Sequence, residues 1–349
     1  MKFGFAAALL FCLIAAKASP QATRPEAPEP LRAWKLAFVR GGNIWVANGD
    51  GTGQRLLLRN ASAPCWSPDK KRIAFVRAGN IWVANADGSH PRRLTRHWKP
   101  RSGIDQSSPD DDDINLAWNP TDNLITYSHW EKFPVRRAGD KESDLLLCSS
   151  LFEVSPSSPL TGTGTLLFDL LEQGAYYSFG DNDAPAFSRS GKQMAFTRNG
   201  DIWVAERGQR KGRDQERAWD AWEWDVTRIA APAQFDDPNF RGSRENYGVT
   251  HLSWSPDGRF LAYGIRRLGG SGFWEIHVLS VGKDRYGRPI VLQNRLLAND
   301  GVDPCFSPDG RFIAYLGQSY GDGLGDIKVL SLDGRLNRRL IKDAEQPAW

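Results

Sequence analysis

Gly317–Gly321 reads GQSYG, which matches G-x-S-x-G, the pattern of a serine nucleophile held on a sharp strand-to-helix turn. That chemistry is acyl transfer, and it needs an acid and a histidine further along the chain. No histidine follows Ser319, and the flanking residues alternate as short strands do. Ser319 is therefore expected to be a loop residue without a catalytic role.

Metal chemistry is the other candidate. The five histidines are His90, His97, His129, His251 and His277. A catalytic metal needs several imidazole or carboxylate ligands converging from different elements. His97, His129 and His251 could meet Asp113 or Asp303 only if the fold brings them together. The run Asp110–Asp113 lacks the alternating ligand spacing of a dedicated calcium loop. Further acids stand at Asp181, Asp183, Asp303 and Glu345. The stretch Glu206–Asp225 sets a basic run before Trp219, Trp222 and Trp224, at spacings that fit neither a helix face nor a strand face. It either covers apolar surface of its own unit or meets an anionic glycan or headgroup.

Composition excludes some classes. The chain has 349 residues, 25% charged and 40% hydrophobic, ordinary values for a globular protein. Lys2, the apolar run Phe3–Ala16 and the small residues Ala16 and Ala18 form a secretory signal over residues 1–18. Its loss removes Lys2 and Lys17 and lowers the formal charge from +4 to +2, which gives no case for a nucleic-acid partner. No later apolar run is long enough to span a bilayer. Residues 19–32 are rich in proline and are expected to form an extended tether. Cys65, Cys148 and Cys305 remain after cleavage, too few for a disulfide scaffold, and are expected to act as small packing residues.

These residues must be positioned by repeated elements. GNIWVANGDG at Gly42 returns as GNIWVANADG at Gly79. Three short elements recur six times in fixed order. The first ends on an aromatic before a turn: PCWSPD from Pro64, LAWNPTD from Leu116, PAFSRSG from Pro185, LSWSPDG from Leu252, PCFSPDG from Pro304 and the terminal QPAW. The second alternates apolar residues, as in KLAFVR from Lys35 and RIAFVR from Arg72. The third includes NIWVAN from Asn43 and Asn80 and DIWVAE from Asp201. β-Branched and aromatic residues at period two, bounded by Pro, Asp and Gly, specify strands and turns. With a fourth strand in each unit, the series predicts an all-β, six-bladed β-propeller of four-stranded blades over residues 33–349. Its units start near residues 33, 64, 115, 184, 251 and 303. The first unit lacks its aromatic element and the chain ends on a spare one, so Gln346–Trp349 is expected to complete blade one and close the ring. Trp45, Trp82 and Trp203 share one repeat position, where they are expected to pack between blades.

The stretches WSPDGRFLAY at Trp254 and GNIWVANADGSHPRRLT at Gly79 resemble the TolB-type propeller repeat, a relative of the WD repeat in exported bacterial proteins. The resemblance extends over residues 33–349. It implies a noncatalytic periplasmic or secreted scaffold of the cell envelope, which binds a protein or glycan partner through the propeller mouth. The family's namesake carries an α/β domain ahead of its propeller, and the short stretch before Lys35 is expected to leave no room for one. Prolyl-oligopeptidase-type enzymes pair such repeats with a hydrolase domain, which is not expected here because the residues after the sixth unit leave no room for one.

Long loops are expected on the face formed by second-to-third and fourth-to-first connections. There we place the binding residues: Trp130, Arg136, Arg137, Tyr247, Arg266, Arg267 and Tyr320 around an acidic mouth of Asp113, Asp183, Asp303 and Glu345. Arg and aromatic side chains are the usual interface anchors, and an electronegative mouth favours a cation or a basic segment. This reading needs no cofactor and expects a monomer. The alternative is a metal-dependent propeller lactonase or oligosaccharide lyase with its site at the channel.

Overall fold

The computed structural model describes residues 29–96, 112–135, 144–157, 165–166, 182–198, 200–207, 224–230, 247–267, 274–317 and 325–349. They form six four-stranded antiparallel sheets arranged as propeller blades. Blade one consists of β1 (Lys35–Arg40), β2 (Asn43–Asn48), β3 (Arg55–Leu58) and, innermost, β24 (Glu345–Ala348). Blade two runs β4 (Ser62–Trp66), β5 (Arg72–Arg77), β6 (Asn80–Asn85), β7 (Arg92–Arg93). Blade three runs β8 (Asp112–Trp118), β9 (Ile125–Val135), β10 (Asp144–Val154), β11 (Thr165–Leu166). Blade four runs β12 (Asn182–Phe187), β13 (Gln193–Arg198), β14 (Asp201–Arg207), β15 (Trp224–Ala230). Blade five runs β16 (Tyr247–Trp254), β17 (Phe260–Arg267), β18 (Trp274–Lys283), β19 (Pro289–Ala298). Blade six runs β20 (Gly301–Phe306), β21 (Phe312–Gly317), β22 (Asp326–Ser331), β23 (Asn337–Ile341).

The ring closes as the sequence predicts. β24 pairs with β1, setting Ala348 opposite Ala37 and Glu345 opposite Val39. This covers the inner edge that β1 would otherwise expose. The stretch expected as an extended tether ends differently: Glu29–Arg32 form one helical turn, α1. Leu31 is fully buried with Trp349 in the layer between blades six and one. Trp34 meets Trp349 edge to face at 6.2 Å, so both ends of the described chain are packed at one seam.

The hydrophobic core lies between the blades. Ile44, Val46, Ile73 and Phe75 fill the layer between blades one and two, and Ile276, Val278, Ile313 and Tyr315 that between blades five and six. Trp45, Trp82 and Trp203 pack into three such layers, the interblade role read from their repeat. Each also carries an arginine on its ring: Arg40, Arg77 and Arg198 lie 5.5, 5.1 and 5.2 Å from the ring centres.

The turns between first and second strands are built by their serines. Ser67, Ser255 and Ser307 are buried. Each hydroxyl donates to the turn aspartate, Asp69, Asp257 or Asp309, and accepts from the amide that begins the next strand. The side chain thus satisfies backbone donors that would lack partners at the strand entry.

Candidate functional site: the two ends of the central channel

Every innermost strand carries a β-bulge at the same place, three residues before its aromatic. The bulged residues Ala63, Asn115, Ala184, His251, Asp303 and Gln346 all have positive φ, between 33° and 55°. The register shifts at this point in each sheet. A bulge turns a side chain away from the regular alternation. Non-glycine residues held at positive φ are also uncommon and concentrate where a backbone serves a function. Around the ring the bulges enclose a cavity of 210 Å³.

Polar side chains join neighbouring blades here. Asn115 donates to Asp183 Oδ1 at 2.6 Å, linking blades three and four. His251 Nδ1 lies 2.6 Å from Asp303 Oδ1, linking five and six. Gln346 Oε1 accepts from the Ala63 amide at 2.8 Å, linking one and two. Burial alone would lower the His251 pKa, but Asp303 beside it and Asp183 nearby raise it above the ordinary imidazole value. Glu345 is pushed above the usual carboxylate range, first by burial and then by Asp303. Three of the expected mouth acids, Asp183, Asp303 and Glu345, therefore share one electrostatic neighbourhood with His251.

The other expected residues are placed less fully. Asp113 lies on β8 with its backbone opposite His129, and Trp130 follows on β9 opposite Asp112. Tyr247 pairs with Arg267, and Arg266 with Gly248, so these three share one end of blade five. Arg136, Arg137 and Tyr320 lie outside the described residues, as do His97, Ser319, Asp110, Asp181 and residues 208–223 of the Trp-rich insertion. His129 is buried inside blade three with its ring edge on Phe152 at 5.4 Å. His277 stacks on Tyr263 and contacts Glu275 at 2.8 Å. Both histidines thus serve blade packing. Among the described residues no three His, Cys, Asp or Glu side chains gather as metal ligands.

The other end of the channel opens into a larger vestibule of 1030 Å³, on the side of the serine turns. One aromatic from each blade stands in its wall: Trp66, Trp118, Phe187, Trp254, Phe306 and Trp349. Lys70 enters it from blade two, with Nζ donating to the main-chain oxygen of Trp349 at 2.7 Å. Burial lowers the Lys70 pKa, partly offset by Cys305 and Cys65. Burial raises both thiols in turn, Cys65 to about 11. Lys70 has a φ of 59°, at the turn position where blades four, five and six have Gly191, Gly258 and Gly310. The sequence reading placed its binding residues on the opposite face and missed Lys70. Aligning SPDK of blade two with SPDG of blades five and six would have marked it.

A family model for the dipeptidyl peptidase IV N-terminal region matches residues 54–136. Among solved structures, TolB from Acinetobacter baumannii is similar with a TM-score of 0.58 and 16% identity, over 91% of this chain and 67% of that one. A putative TolB from Agrobacterium tumefaciens has a TM-score of 0.48 and 14% identity, over 88% and 87%. A putative 6-phosphogluconolactonase from Bacteroides uniformis has a TM-score of 0.49 and 14% identity, over 89% and 82%. A comparison with curated proteins gives no sequence match. The chain has the TolB-type propeller fold, and at these identities the likeness extends to the fold alone.

Proposed function

We propose that this protein is a noncatalytic, extracytoplasmic binding scaffold, periplasmic or secreted, that takes a basic segment of a protein partner at the acidic end of its channel. The observation that carries this is an electrostatic cluster supplied by different blades beside a cavity that His251 and Asp303 line: Asp303 and Asp183 both raise the His251 pKa, and Asp303 raises that of Glu345. A carboxylate whose pKa is raised by burial and by a like charge gains when a cation arrives, because the cation stabilises its ionised form. A lysine or arginine side chain entering the mouth would supply that charge. Trp130, Arg136, Arg137, Tyr247, Arg266, Arg267, Tyr320 and Asp113 are assigned to the surrounding contact surface, where Arg and aromatic groups serve as anchors. A glycan is the weaker occupant of this end, since its hydroxyls bring no positive charge to the carboxylates.

The test is a pull-down from envelope extract with the wild-type chain and with a variant carrying Asp113→Asn, Asp183→Asn, Asp303→Asn and Glu345→Gln. A partner retained by the wild type and lost by the folded variant is the expected result. Equal retention of every partner by both would sink the proposal.

A further inference from the structure

We propose that the vestibule on the serine-turn side is a second binding site, for a small organic acid that joins an apolar ring or chain to a single carboxylate. Nothing in the acidic-end reading requires it, and the two cavities have only Trp66 and Trp349 in common.

The size is right for such a ligand: 1030 Å³ matches the upper range of small-molecule pockets. Six aromatic side chains together with Pro68, Pro120, Pro256 and Pro308 supply the apolar part of its wall. The charge is complementary to an anion. Lys35, Arg55, Lys70 and Arg189 line the space against one acid, Asp87. Among the described residues, Arg189 has no ion-pair partner. Lys70 uses one of its three donors on Trp349 and has two to spare.

The polar groups of the wall also discriminate between ligands. The hydroxyls of Ser67, Ser255 and Ser307 are spent on their own turns. A polyhydroxylated sugar would find few partners here and would leave hydroxyls unsatisfied. A ligand with one anionic group and an apolar body leaves none.

Lys70 is the residue that makes the site specific. A lysine at φ 59° is strained where the equivalent turns of three blades use glycine. Its side chain lines the vestibule and reaches the main-chain oxygen of Trp349.

The closing experiment is calorimetric titration of the full chain with 1-naphthoate, 1-naphthamide and glucuronate. Saturable binding of 1-naphthoate is expected, with the amide roughly tenfold weaker because it loses the charge-assisted hydrogen bond. Lys70→Gly restores the turn's usual residue, so it is expected to fold, and it should weaken naphthoate about tenfold without changing the affinity for the amide. Arg189→Gln, at an exposed position, is the second variant and should weaken the acid more than the amide. Naphthoate that fails to saturate, equal binding of acid and amide, unchanged affinity in both variants, or tighter binding of glucuronate would each overturn the proposal.

Discussion

His251 Nδ1 lies 2.6 Å from Asp303 Oδ1, and this contact joins the innermost strands of blades five and six inside the channel. Because Asp303 and Asp183 hold the imidazolium form, the folded-state pKa is raised above that of the unfolded chain. A raised histidine contributes stability that is fully present below the unfolded value, about 6.5, and is lost as pH rises through the folded value. The melting temperature of the wild type is therefore expected to fall as pH rises above about 6.5. In His251→Asn, which tolerates the positive φ, that fall should be smaller. Equal slopes in the two proteins would show that the pair does not govern this window.

Glu153 acts in the same direction over a lower pH window. Burial, and then the nearby charge of Asp122, raise its pKa to about 7, against the lowering effects of a Thr126 hydrogen bond and of Arg207. A carboxyl with a raised folded pKa favours folding while protonated, so its contribution declines as pH climbs from about 4.5 to 7. Glu153→Gln removes the cost of ionisation and can still accept from Thr126. Its stability should exceed that of the wild type by about 1 to 3 kcal/mol above pH 7.5 and converge with it below pH 4.5. Urea unfolding at both pH values measures this.

Much of this fold is legible in the residues because the repeat is local. An alternating strand such as KLAFVR and a turn such as SPDG carry their own instructions, and the spare QPAW reveals ring closure through simple bookkeeping of elements. The channel is less legible. That Asp183, Asp303 and Glu345 stand on inner strands follows from blade order, yet the pairing of Asp183 with Asn115 and of Asp303 with His251 depends on the bulge at each inner strand. No residue type announces that bulge, since alanine, asparagine, histidine, aspartate and glutamine all occupy it. His129 shows the converse: its residue type suggests a ligand, and only packing against Phe152 inside blade three reveals its role.

Arg77 is expected to be worth more than its charge. Its guanidinium lies 5.0 Å from the Phe75 ring centre and 5.1 Å from that of Trp82. It also donates to the main-chain oxygens of Arg59 and Asn60, which end blade one. Arg40 repeats the arrangement one blade earlier, donating to Lys342 and Asp343 of blade six. Arg77→Met keeps the aliphatic cover but loses two interblade hydrogen bonds and the cation on the ring, at a cost of about 1 to 3 kcal/mol. Arg77→Lys should recover little, because an ammonium lacks the planar fork that reaches both carbonyls. Chemical denaturation of the three proteins settles the order, and a lysine variant as stable as the wild type would refute the account.

The closing strand sets the largest effect. Trp349 is 6% exposed and packs in the layer between blades six and one, with Leu31 and Trp34 from the start of the described chain against it. Its main-chain oxygen accepts from Lys70 in blade two, so one residue ties three blades together. Trp349→Ala leaves a cavity at that seam and is expected to cost about 3 to 5 kcal/mol. Removal of residues 344–349 should do more, because it takes away β24 whole, reopens the inner edge of β1 and unseats Leu31 at once. The expected result is a loss of cooperative unfolding, read by differential scanning calorimetry, together with concentration-dependent association through the bared strand. A truncated chain that melts in one sharp transition near the wild-type temperature would mean that the ring is held by the other five interfaces and that the C-terminal strand merely decorates it.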